Sequence, residues 1–157
     1  MRHLAAFVWA DQPARMRMLL QGIKAVWRNS QTSAPVHLQT CRLPEGLPFF
    51  LQGLKKTLAP TVLYNTYLGA YLPDRGRSLQ AHLAQWAQQQ PGSVLWLQWE
   101  HLPGKRPPEF GWLGWRADLW QNGEYRSWLL AWVHPHGSQV FWLPGLKGWR
   151  DFWRTER

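Results

Sequence analysis

A break at Pro91-Gly92 divides this chain into two kinds of hydrophobic pattern, and neither an all-helical nor an all-sheet fold can satisfy both. Ahead of the break, apolar residues recur at helical spacing three times, between short strand-like runs. Residues 4–9, with Phe7 and Val8, read as a buried strand. Asp11 then offers an N-cap and Pro13 a first-turn residue for a helix that carries Met16, Leu19, Leu20, Ile23 and Trp27, with Arg15, Arg17, Lys24 and Arg28 largely on its other faces. A polar loop over 29–35 leads to the alternating run 36–41, so a βαβ unit is expected at the N-terminus. Leu47, Phe50, Leu51, Leu54 and Leu58 predict a second helix that Pro60 stops, and residues 61–68 a further strand. Ser78 is placed to cap a third helix with the inner stripe Leu79, His82, Leu83, Trp86 and Ala87.

Beyond the break, residues 93–102, 110–120, 125–134 and 139–143 read as strands. Asn122-Gly123 is a strong hairpin signal and His136-Gly137 a weaker one, which predicts an antiparallel meander. Residues 145–157 form an amphipathic helix with Trp149, Phe152 and Trp153 on one side and Lys147, Arg150, Arg154 and Arg157 beside them; docking of its aromatic side on the sheet is the preferred reading. The expected fold is α/β or α+β: one compact domain over 1–157, in which a β-α-β-α-β-α half precedes a meander in a mixed sheet, closed by a short amphipathic helix.

An apolar fraction of 45% against 17% charged residues is that of a folded chain. No apolar stretch is long enough to cross a bilayer, and residues 1–11 do not read as a secretion signal, so a cytoplasmic protein is expected. The lone Cys41 fits a reducing compartment. No Cys/His spacing suits zinc, and His134-Pro135-His136 reads as a turn, so neither metal nor cofactor is expected.

Charge and tryptophan content carry the functional reading. Eighteen Lys and Arg against nine Asp and Glu give +9, which favours polyanionic partners, and the excess is mostly arginine, whose planar fork grips phosphate and stacks on rings. Most of the thirteen tryptophans must be core. Even so, Trp99, Trp112 and Trp115 are interleaved with Lys105, Arg106, Arg116 and Arg126, the combination of stacking faces and cations that single-stranded nucleic acid requires. The loop Asp74-Arg75-Gly76-Arg77-Ser78, opening a helix, has the ingredients of an anion site without being a Walker loop or a dinucleotide fingerprint.

These features predict an accessory protein without catalysis that binds single-stranded or structured DNA or RNA through Arg75, Arg77, Lys105, Arg106, Arg116, Arg126, Lys147, Arg150 and Arg154, with Trp99, Trp112 and Trp115 as stacking candidates. A protein-interaction subunit of a larger complex is the alternative, since Trp and Arg are both enriched at interface hot spots. A small metal-independent nuclease or transferase using the Asp74–Ser78 loop and His101 is the third reading. It has little support, because the nine acidic residues form no recognisable catalytic set and Leu102 stands where a nuclease motif led by Glu100 would place lysine.

Overall fold

The computed structural model describes residues 13–29, 37, 39–54 and 56–155. Two compact units are distinguished, Met1–Thr40 and Cys41–Arg157. In the first, helix α1 spans Pro13–Asn29, with proline as its first residue, where a missing N–H costs nothing. Met16, Leu19 and Ile23 are half-buried on one side of α1, whereas Leu20, Val26 and Trp27 are exposed. The strand expected over 4–9 lies outside the described residues. Of the strand expected over 36–41, His37 and Gln39–Cys41 are described, and none of them is in a strand.

The second unit is an α+β arrangement around a five-stranded mixed sheet, with its elements in the expected order. Helix α2 (Leu47–Gly53) is followed by β1 (Thr61–Thr66), a 3-10 turn (Gly69–Tyr71), α3 (Arg77–Gln88) and β2 (Val94–Glu100). The meander comprises β3 (Leu113–Gln121), β4 (Glu124–Val133) and β5 (Val140–Trp142), and α4 (Gly145–Thr155) closes the unit. Strand order follows chain order. β1 and β2 are parallel, as a helical crossover demands, and the remaining pairs are antiparallel. The second helix is shorter than its leucine spacing predicts: Leu54 is already extended, and Leu58 is exposed with no core to hold it.

Alternation decides what each face of the sheet meets. Val94, Trp96, Gln98 and Glu100 are buried and point one way, while Leu95, Leu97 and Trp99 point the other and are half-buried. On the first face, Val94, Trp96 and Trp120 pack with Leu79, Leu83 and Ala87 of α3 and Leu47 and Leu51 of α2. Each buried leucine in this layer contributes roughly 1.5–3 kcal/mol. On the opposite face, α4 lies against β4: the Trp128 ring centroid is 5.2 Å from Trp149 and 5.4 Å from Phe152. Lys147, Arg150 and Arg154 remain exposed, so α4 is the docking helix that its sequence predicts.

Candidate functional site at the carboxyl ends of β1 and β2

Polar side chains that cannot be solvated gather on the face covered by α3. Asn65, at the end of β1, accepts from the indole N–H of Trp96 and donates Nδ2 to Oε1 of Glu100 at 2.7 Å. The same carboxylate accepts the backbone N–H groups of Leu68 and Gly69. Glu100 therefore lies inside a ring of donors. Those bonds hold the chain as it leaves β1, where Tyr67 has φ 53°, a left-handed conformation that an aromatic residue adopts only when its surroundings impose it. His101, the next residue, lies just beyond β2 and is exposed, and the Glu100 carboxylate is hydrogen-bonded to Asn65 and two backbone amides.

The left-handed turn turns aromatic rings toward the strand ends. Tyr67 lies 5.5 Å from the His101 ring and 5.8 Å from Tyr71, centroid to centroid. Two adjoining compartments open there, and both are lined by His101 and Phe110. One, about 490 Å³, is walled by Tyr67, Trp99, Phe110 and Pro135 and is largely apolar. The other, about 500 Å³, brings Arg75 and Lys105 beside Trp112 and Trp132. Phe110 is fully exposed and Tyr71 79% exposed. Trp99 and Trp112 each carry a buried indole N–H with no hydrogen-bond partner among the described residues.

The structure scatters the sequence-predicted binding residues over several places. Arg75, Lys105, Trp99 and Trp112 line the strand-end compartments, and Arg106 adjoins Lys105 on the exposed loop. Arg77 lies at the first turn of α3 and donates Nε to the Asp74 carbonyl. Arg116 is engaged elsewhere: its Nε lies 2.8 Å from Asp118, which is fully buried and also accepts from Gln98 and Tyr125. Arg126 pairs with Glu124 at 2.8 Å and lies over the Phe152 ring, on the α4 side with Lys147, Arg150 and Arg154. Trp115 packs at 5.8 Å from Trp142.

In the Asp74–Ser78 loop, where the sequence suggests an anion site, the Asp74 carboxylate takes the amides of the first turn itself. Its oxygens accept the N–H groups of Gly76 and Ser78, so the first turn of α3 is capped from within; the N-cap is Gly76, and Ser78, expected as the cap, lies inside the helix. Gly76, with φ 81°, lets the chain double back for this contact. These bonds hold the Asp74 carboxyl below its ordinary pKa, the bonds from Ser78 being the largest cause. Tyr67 and Phe110, which line the compartments, and Tyr71, packed beside Tyr67, are not among the predicted binding residues, and His101 enters only the nuclease or transferase reading; the sequence signal of the three rings is an aromatic side chain beside turn residues.

Among the described residues no cluster of three or more His, Cys, Asp or Glu side chains could hold a metal ion, and no helix is long and apolar enough to cross a membrane. Fold and site thus define an α+β protein with a bipartite cleft outside the carboxyl ends of two parallel strands, the usual place for ligands on such sheets. The chain belongs to a family described as an uncharacterized protein conserved in bacteria (DUF2332), whose model matches residues 1–142. No curated protein and no solved structure matches it.

Proposed function

We propose that this chain binds single-stranded or structured nucleic acid through the strand-end cleft, as an accessory protein without catalysis of its own. One observation carries the reading: Arg75 and Lys105 line the same cleft as His101 and the fully exposed Phe110. Cations grip phosphates and an uncovered ring stacks a base, and a net charge of +9 adds long-range attraction. The stacking rings in this reading are Phe110, Tyr67 and Tyr71, with Trp99 and Trp112 forming walls. The Glu100 carboxylate in the same lining is held by Asn65 and two backbone amides rather than by either cation. A cytoplasmic location suits the lone cysteine.

The test is an anisotropy titration of labelled single-stranded and duplex oligonucleotides, with protein tryptophan emission followed in parallel. Saturable binding that prefers single strands and weakens steeply with salt is expected. Absence of binding at low salt would overturn the proposal. A protein partner is the second reading, supported by the edge strand β5, where Val140, Phe141 and Trp142 are 40%, 55% and 52% exposed.

A further inference from the structure

The two halves of the cleft differ in chemistry. The half walled by Tyr67, Trp99, Phe110 and Pro135 offers flat, apolar faces and no charge other than what His101 carries at its edge. The half holding Arg75 and Lys105 offers two cations that, among the described residues, form no salt bridge, and Glu100, the acidic residue lining it, is hydrogen-bonded instead to Asn65 and the Leu68 and Gly69 amides. The halves meet at His101 and Phe110. Each, at about 490 and 500 Å³, has the size of a small-molecule compartment rather than of an extended groove.

A ligand that fills both must join a planar aromatic group to an anion across a short polar spacer. We infer that the cleft takes one nucleoside monophosphate unit, its base between Phe110, Tyr67 and Trp99 and its phosphate on Arg75 and Lys105. The inference rests on the nucleic-acid reading and narrows it: recognition is of a single nucleotide, free or carried by a strand, rather than of a length of backbone.

The experiment uses the full chain and four probes: adenosine 5′-monophosphate, adenosine, ribose 5-phosphate, and a fluorescent single-stranded oligonucleotide. The monophosphate is expected to bind saturably and displace the labelled strand, with adenosine and ribose 5-phosphate each weaker by about tenfold or more, the cost of one stacking or one charged contact. Phe110→Ala should reduce the monophosphate to the level of ribose 5-phosphate, and Lys105→Ala should reduce it to the level of adenosine; both positions are exposed, so neither change disturbs the core. Tighter binding of the free monophosphate than of the strand would mark a free nucleotide as the ligand, and the reverse order a strand; both outcomes support the inference. A strand that binds but is not displaced by the monophosphate would overturn the single-nucleotide site and leave the nucleic-acid reading standing. Failure of both to bind would overturn both.

Discussion

The amide nitrogen of Asn65 lies 2.7 Å from Oε1 of Glu100, joining the ends of two parallel strands through side chains where the backbone ladder stops. Because Glu100 also holds the Leu68 and Gly69 amides, Glu100→Ala leaves three donors without an acceptor. A loss of about 3 kcal/mol is expected, read as a lower midpoint in urea denaturation. Binding should fall as well, since the Tyr67 turn loses its anchor.

A second buried carboxylate holds the other end of the same face. Asp118 accepts from Arg116, Gln98 and Tyr125. Asp118→Ala strands a guanidinium that is itself mostly buried, at a cost of about 3–5 kcal/mol. Urea denaturation followed by far-UV circular dichroism measures it.

Tyr125 gives that cluster a pH signature. Burial, and then the neighbouring Asp118 carboxylate, raise its pKa above the ordinary 10.0. The folded state prefers the neutral phenol, so this contribution to stability is complete below pH 10 and is lost as the pH rises through the raised value. Denaturation midpoints should therefore fall more steeply on the alkaline side for the native chain than for Tyr125→Phe.

Asp74 behaves in the opposite sense. Its pKa is depressed, so its cap on α3 stabilises the fold above the usual carboxylate range and is lost as the pH falls through the lowered value. Asp74→Asn should flatten that part of the acid limb and lower stability at neutral pH, both visible in thermal melts at graded pH.

At Gly145 the requirement is for space. A Cβ there would fall on the carbonyl oxygen of Leu129, so α4 can start against β4 only without one. Gly145→Ala should push α4 off the strand and loosen Trp149 and Phe152 from Trp128, seen as a loss of near-UV circular dichroism.

Periodicity made the core legible. The stripe Leu79, Leu83 and Ala87 and the alternation from Val94 to Glu100 are buried as their spacing demands, and Asn122-Gly123 makes the β3–β4 hairpin, with both residues at positive φ. Binding residues were harder to read, because charge says nothing about pairing. Arg116, a binding candidate by charge alone, is held by Asp118, two residues on and therefore on the same strand face, a spacing visible in the sequence. Tryptophans on strands are the obvious stacking candidates, but Trp112 is buried, whereas Phe110, just ahead of β3, and Tyr71, in a 3-10 turn, are exposed outside the strands.

Charge reversal at two places separates the cleft from the rest of the basic surface. Oligonucleotide anisotropy would compare the native chain with Arg75→Glu/Lys105→Glu in the cleft and with Lys147→Glu/Arg150→Glu on α4, at fixed salt. Loss of single-strand binding in the cleft pair, with near-native affinity and a nearly unchanged salt slope in the α4 pair, is the expected result. Equal losses in both, or a loss confined to α4, would contradict a binding site at the carboxyl ends of β1 and β2.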